Sequence, residues 1–271
     1  MKNFKKIMFG VCAVMIMLVT PLFLVGCGGS SSDDDDNPWG LVNAGQLILA
    51  TSADFPPFQS INDAGEYVGI DIDIAAAIAD ALGLELVVQN MDFAGVLLSL
   101  HTGQSDIVLS GMTITEARRA GADFTIPYFN SGQVLITHVN NNRLDGMNAD
   151  QIRAAMAGQR IGAVAGQTGY DHAIALTGAS NVQVFTDNIT MMTAIQNGII
   201  DYSIQGAVAS HGLVANNPNL QVVNVALTDE QYGAAVRQGN TELLWQVNRV
   251  LSTMMLNGEL ADIFANHGIS L

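Results

Sequence analysis

From Gln46 onward the chain alternates short apolar segments, which predict buried strands, with longer segments whose apolar residues recur at helical spacing. The first series predicts strands at 47–51, 84–88 and 107–109 and helices at 72–82 and 96–102. Asp71 or Asp73 is placed to cap the first helix, and Gly83 to end it. Alternating strands and helices favour an α/β fold with mostly parallel sheets.

A second series with the same rhythm begins at Arg160. It predicts strands at 161–166, 182–185 and 202–204 and helices at 170–176, 191–197 and 207–215. The similar order of elements predicts two lobes of related architecture. Extended stretches at 133–139 and 233–237 would carry the chain between them and form a hinge. Lobe 1 would then hold 44–133 and 237–271, and lobe 2 would hold 138–232.

The N-terminus is typical of a bacterial lipoprotein signal, because Lys2, Lys5 and Lys6 precede an apolar run that ends in LVGC at 24–27. We expect residues 1–26 to be removed and Cys27 to carry a lipid at the cell envelope. An uncleaved membrane anchor fits less well, because Pro21 interrupts the run. The acidic stretch after Cys27 makes 27–43 a flexible tether rather than a calcium loop.

Processing at Cys27 would leave seven arginines, no lysine and 25 acidic residues, a net charge of −18. This charge argues against a nucleic-acid partner, because phosphate binding needs a clustered basic face. Only Cys27 would remain of the two cysteines, so neither a disulfide nor a thiolate metal site is predicted.

Five segments together resemble one known family: TSADFPPF at 51–58, YVGIDIDIAAAIADALG at 67–83, MDFAGVLLSLHTGQSDIVLSGMTITEARR at 91–119, GAVAGQTG at 162–169 and YGAAVRQGNTELL at 232–244. They are similar, in order, to the family 3 extracellular solute-binding proteins of polar amino acid ABC transporters. The resemblance implies an α/β, two-lobed periplasmic-binding-protein fold of type II. It also implies a monomer that works with a membrane permease and needs no cofactor or metal.

The resemblance places the ligand carboxylate on Arg118. A guanidinium suits this role because its paired N–H groups match both carboxylate oxygens. Without the resemblance, Arg118 is better explained as a surface ion-pair partner of Glu116 or Asp123. The same motif contributes further donors to the ligand: Ser110, Gly111 and Thr113.

Phe55 and Phe93 match the aromatic positions that sandwich the ligand, although core packing is the alternative for both. Thr168 lies between a strand and a helix start in the second lobe, where free backbone N–H groups suit an anion. Gly166 and Gln167 flank it, and a tight turn explains Gly166 equally well.

Two positions depart from the family pattern. Gly206 and Ser52 stand where acids usually meet the ligand's ammonium group, and a buried ammonium without a carboxylate is costly. Asp54 could compensate, and Gln205 could offer an amide oxygen. Two ligand classes therefore stay open: a polar or modified amino acid, which we favour, and a carboxylate without an α-amino group.

Relatives with this fold include lyases such as cyclohexadienyl dehydratase, so catalysis has to be weighed. The five histidines are scattered and form no metal-binding pair: His101, His138, His172, His211 and His267. Asp54 is the one candidate for proton chemistry. We therefore predict binding without catalysis and assign no catalytic residue.

Overall fold

The computed structural model describes residues 37–271. The signal predicted at 1–26 and the lipid attachment predicted at Cys27 lie outside these residues. Within them, no helix combines the length and the apolar character that a bilayer crossing requires.

The described part of the chain forms short strands and helices in alternation. The strands are β1 (Gln46–Thr51), β2 (Asp54–Phe55), β3 (Gln59–Ile61), β4 (Tyr67–Val68), β5 (Glu85–Asn90), β6 (Ile107–Val108), β7 (Ala122–Phe124), β8 (Phe129–Ser131), β9 (Gln133–His138), β10 (Ile161–Val164), β11 (Val182–Phe185), β12 (Tyr202–Gly206), β13 (Leu220–Val223), β14 (Glu230–Tyr232) and β15 (Ala235–Arg237). The helices are α1 (Ile70–Leu82), α2 (Phe93–His101), α3 (Glu116–Arg119), α4 (Ala149–Ala155), α5 (Thr168–Thr177), α6 (Asn188–Gln196), α7 (Ala207–Ala215), α8 (Thr241–Asn257) and α9 (Glu259–Asn266).

Two five-stranded sheets organise these elements. The first has the strand order β5-β1-β6-β15-β7, with β1 parallel to β5 and β6 and with β15 antiparallel to both of its neighbours. The second has the order β11-β10-β12-β9-β13, with β10 parallel to β11 and β12 and with β9 antiparallel to β12 and β13. We call the first sheet with its helices lobe 1 and the second lobe 2. Each lobe is thus a mostly parallel sheet with one inserted antiparallel strand.

The chain passes between the lobes at a different place from the one predicted. The stretch at 133–139 was expected to cross, but Gln133–His138 is the β9 strand inside the second sheet. Similarly, Ala235–Arg237 is the β15 strand of the first sheet. The crossing segments are β8 and β14, which pair antiparallel with each other.

Helix α1 begins and ends differently from expectation. Its N-cap is Gly69, whose φ of 129° favours glycine, and an added Cβ there would collide with the carbonyl of Phe58. Asp71 does not cap the helix but is fully buried inside its first turn. The predicted stop is present, since Gly83 adopts a left-handed conformation and donates to the carbonyls of Ala79 and Asp80.

The C-terminal part of the predicted tether is packed against the folded unit. Leu41 is buried, Val42 N donates to Asp106 Oδ1 at 2.7 Å, and Arg237 Nη2 donates to the Gly40 carbonyl at 3.1 Å. The tether prediction was therefore wrong for residues 37–43, because apolar burial and hydrogen bonds hold this segment.

Candidate functional site

A small cavity lies between the lobes, at the carboxyl ends of β6, β10 and β12. Eight of the ten predicted ligand-binding residues line it: Phe55, Phe93, Ser110, Gly111, Thr113, Arg118, Thr168 and Gln205. Gln133, Gln167, Gly206 and Tyr232 complete the lining. The position follows from topology, because in parallel sheets the residues just after the strands converge at one edge.

Arg118 spans the two lobes inside this cavity. It lies on the short helix α3, which begins where the Thr115 side chain accepts a hydrogen bond from Arg118 N at 3.1 Å. Its Nη1 donates to the Thr113 carbonyl at 2.7 Å, and its Nη2 donates to the Gly166 carbonyl of lobe 2 at 2.8 Å. The ion pair with Glu116 or Asp123, which the residues alone favoured, does not form among the described residues.

The guanidinium stays charged at neutral pH. Burial lowers the pKa of Arg118 to about 10, and the negative charge of Glu230 partly opposes this effect. Its central carbon lies 5.5 Å from the centroid of the Phe93 ring, within the range of a cation–π contact. Arg118 therefore presents a positive charge with N–H groups left over after its two carbonyl contacts.

The aromatic wall depends on a glycine. Phe55 is buried and stacks on Phe58, with ring centroids 6.0 Å apart. Gly111 has a φ of 53°, and a Cβ added there would lie 2.9 Å from Phe55 Cε1. The glycine thus permits both the turn after β6 and the close approach of the ring.

A buried carboxylate holds this turn in place, and the sequence did not reveal it. Asp71 Oδ2 accepts from Gly111 N at 2.6 Å, and Asp71 Oδ1 accepts from the Tyr128 hydroxyl at 2.7 Å. Burial raises the pKa of Asp71 to about 7, although both hydrogen bonds act in the opposite direction. Asp71 therefore positions the cavity wall without lining the cavity.

Glu230 is a second buried carboxylate that sequence reasoning missed. Its Oε2 accepts from Thr113 Oγ1 of lobe 1 at 2.8 Å and from Thr168 Oγ1 of lobe 2 at 3.1 Å. It also accepts from Gln133 Nε2 at 3.1 Å, and its Oε1 lies 3.0 Å from His172 Nε2. Burial alone would raise the pKa of Glu230, but these hydrogen bonds outweigh it and the pKa is lowered.

Glu230 also changes the roles of two predicted site residues. The hydroxyls of Thr113 and Thr168 donate to this carboxylate, so neither is left to donate to a ligand. Thr168 is the first residue of α5, where backbone N–H groups have no intrahelical acceptor. These N–H groups are the donors that lobe 2 can offer to an anion.

The remaining two predicted residues, Ser52 and Asp54, do not line the cavity. Asp54 Oδ1 accepts from Ser52 Oγ at 3.0 Å, and Asp54 Oδ2 accepts from both nitrogens of Asn188 at 2.7 and 3.0 Å. Burial raises the pKa of Asp54, and the bonds from Asn188 and Ser52 lower it in part. Asp54 joins the lobes, because Asn188 begins helix α6 of lobe 2.

Comparison with known proteins places the chain in a defined group. The model of the bacterial extracellular solute-binding proteins, family 3, matches residues 47–269. A probable histidine-binding protein of Neisseria gonorrhoeae is 29% identical over 252 residues, which cover 91% of each chain. The arginine-binding extracellular protein ArtP of Bacillus subtilis is 27% identical and covers 89% of this chain and 90% of its own.

Solved structures agree with this grouping. A mutant of ArgBP from T. maritima superimposes with a TM-score of 0.76 and 32% identity, covering 82% of this chain and 94% of its own. An ancestral arginine-binding protein bound to glutamine also gives a TM-score of 0.76 and 32% identity, covering 82% of this chain and 97% of its own.

Proposed function

This chain belongs to the bacterial extracellular solute-binding proteins, family 3, and we propose that it captures a small carboxylate-bearing solute between its lobes. It has the two-lobed type II fold of periplasmic binding proteins. It is the substrate-binding component of an ABC transporter for polar amino acids or related solutes. Similar proteins carry the names of histidine-, cystine-, arginine- and glutamine-binding proteins, so similarity supports a polar or modified amino acid as the ligand class.

One observation carries the proposal: Arg118 is a partly buried cation without a carboxylate partner. Among residues 37–271, no Asp or Glu oxygen lies within 4.0 Å of an Arg118 guanidinium nitrogen, the limit for an ion pair. A charge removed from water needs a counter-ion. A ligand carboxylate would supply that charge and would match the paired donors of the guanidinium.

Arg118 also links ligand binding to closure of the two lobes. Arg118 belongs to lobe 1 but donates to Gly166 of lobe 2, and Thr168 adds the start of helix α5 beside it. A ligand that contacts both lobes only when they meet shifts the protein toward the closed state. We propose lobe boundaries close to those expected from the sequence, 44–133 with 237–271 and 138–232, but shifted so that β9 lies wholly in lobe 2 and β15 in lobe 1. The paired strands β8 and β14 between them form the hinge.

Binding rather than catalysis is favoured by the cavity lining. An acid or base positioned on the ligand would be needed for a lyase reaction. None of the described residues that line the cavity is an aspartate, glutamate or histidine. Asp54, the one candidate for proton chemistry, instead accepts hydrogen bonds from Asn188 and Ser52. We therefore propose that the protein releases its ligand chemically unchanged.

The N-terminal sequence supports an exported protein held at the membrane by a lipid on Cys27. We propose that it acts as a monomer that passes its ligand to a membrane permease. Mass spectrometry of the protein extracted from its native host tests the anchor. A diacylglycerol-modified Cys27 is expected, and an unmodified chain that retains residues 1–26 would contradict it.

Titration calorimetry with a panel of small carboxylates tests the proposed role of Arg118. Arg118→Ala should weaken binding by roughly 2–5 kcal/mol, or about 30- to 4000-fold, because the ligand charge would lose its hydrogen-bonded partner. Arg119→Ala is the matched control, because Arg119 is the exposed neighbour on the same helix. Equal affinity of the Arg118 variant and the parent protein would contradict the proposal.

A further inference from the structure

The cavity contains one charged group. Among the described residues that line it, Arg118 is a cation and all the others are neutral. A free amino acid would bring a negative carboxylate and a positive ammonium into this space. The carboxylate has a counter-ion there, but the ammonium has none, and a desolvated ammonium without an anionic partner is strongly disfavoured.

The position that could carry an acid is filled by a tyrosine. Gly206 lies at the end of β12, and a Cβ added there would overlap the Tyr232 hydroxyl. Tyr232 is almost fully buried, and Ser131 Oγ donates to its hydroxyl oxygen at 3.1 Å. Its own proton is therefore free to be donated. Burial keeps Tyr232 neutral, because it raises the pKa of the phenol further above neutrality.

Three acids around the cavity, Asp54, Asp71 and Glu230, are all occupied. Asp71 accepts from Gly111 N and from the Tyr128 hydroxyl. Both oxygens of Asp54 accept hydrogen bonds from Ser52 or Asn188. Glu230 Oε2 accepts from the hydroxyls of Thr113 and Thr168 and from Gln133 Nε2. His172 Nε2 lies within hydrogen-bond distance of Glu230 Oε1. An ammonium would have to displace these donors to reach a carboxylate.

Neutral acceptors and donors remain. The Gln205 amide nitrogen donates to Asn188 Oδ1 at 2.6 Å, so its amide oxygen is the group left for the cavity. Gln133 lines the cavity and has a buried Oε1 without a partner among the described residues. Together with the Tyr232 hydroxyl, these groups suit a substituent that both donates and accepts while carrying no charge.

From this arrangement we infer that the protein selects carboxylates whose α-substituent is uncharged, such as 2-hydroxy acids or amino acids with an acylated α-nitrogen. The inference rests on the proposed function, because it takes Arg118 as the carboxylate partner. It defines the ligand more narrowly: the α-group is recognised by Tyr232 and Gln205, not by an acid. Free zwitterionic amino acids are then the poorer ligands.

The test is titration calorimetry on the protein freed of any co-purified ligand. Each L-amino acid of a panel is compared with the 2-hydroxy acid of the same side chain and with its N-acetyl derivative. The best hydroxy or N-acetyl acid should bind at least about tenfold tighter than its parent amino acid, because only the parent buries an unpaired cation. The hydroxy and N-acetyl sets separate the two uncharged chemistries.

A pair of variants tests the structural cause. Tyr232→Phe removes the hydroxyl that blocks position 206, and Gly206→Asp in the same chain then adds the missing acid. The double variant should reverse the preference toward the parent amino acid, whereas Tyr232→Phe alone should not. Should the double variant fail to fold, the comparison on the unmodified protein decides by itself.

The outcomes are distinguishable. A parent amino acid that binds as tightly as its uncharged analogues, with Arg118 still required, overturns this inference and leaves the proposed function standing. Failure of every carboxylate to bind overturns both.

Discussion

Replacement of Asp71 by asparagine should remove a pH dependence from the stability of the protein. Asp71 is fully buried, and its pKa rises from 3.8 to about 7 on folding. Between these values the folded state binds the proton and the unfolded state does not, so stability falls as pH rises. A pKa difference of about three corresponds to ~4 kcal/mol.

Asparagine preserves the shape of the site without titrating. Its amide oxygen can accept from Gly111 N, and its amide nitrogen can donate to the Tyr128 hydroxyl, the two groups that Asp71 now contacts. The free energy of unfolding of Asp71→Asn, relative to the parent, should therefore increase by up to ~4 kcal/mol between pH 4 and pH 7 and change little above pH 7.

Urea denaturation at a series of pH values measures this difference. The change in the urea midpoint of unfolding, multiplied by an m-value common to both proteins, gives the difference in the free energy of unfolding. Asp80→Asn is the control, because Asp80 is an exposed acid on the same helix and takes part in no ion pair among the described residues. A difference between Asp71→Asn and the parent that stays constant from pH 4 to pH 7 would refute the reasoning.

Two further substitutions test the frame of the cavity. Gly111→Ala should destabilise the protein by roughly 1–3 kcal/mol in denaturant melts, because it puts an alanine in a left-handed conformation and crowds Phe55. Gly65→Ala is the control, since it adds the same backbone strain in open space. Equal losses of stability in the two variants would contradict the packing argument. Glu230→Gln should cost about 2–4 kcal/mol at pH 7. Because the pKa of Glu230 is lowered on folding, this cost should shrink as pH falls through that pKa, and a cost independent of pH would count against the charged network.

The hydrophobic pattern predicted several of the regular elements. The predicted strand 182–185 and helix 207–215 have the observed bounds of β11 and α7. Helix α3 was not predicted, because its four residues are too few to show a periodic pattern. The crossover was misplaced because an extended β-branched stretch suits a linker as well as a strand, and only the pairing of β9 in the second sheet distinguishes the two.

The sequence located the walls of the cavity better than the groups behind them. The family resemblance carried by the motifs around Phe55 and Arg118 pointed to these residues, and both line the cavity. Asp71 and Glu230 were missed because their partners are distant in sequence: Gly111 is 40 residues from Asp71, and Thr113 is 117 residues from Glu230. For Asp71, an acid within an apolar segment was the available signal, since burial of a carboxylate requires donors from elsewhere. Glu230 gave no such signal, because Asp229 and Gln231 flank it.

A crystal structure of the protein with its tightest-binding carboxylate tests the central claim most directly. We predict that both oxygens of the ligand carboxylate lie about 2.7–2.9 Å from nitrogens of the Arg118 guanidinium, between Phe55 and Phe93. A bound ligand whose carboxylate lies elsewhere, with Arg118 still contacting only the Thr113 and Gly166 carbonyls, would contradict the account.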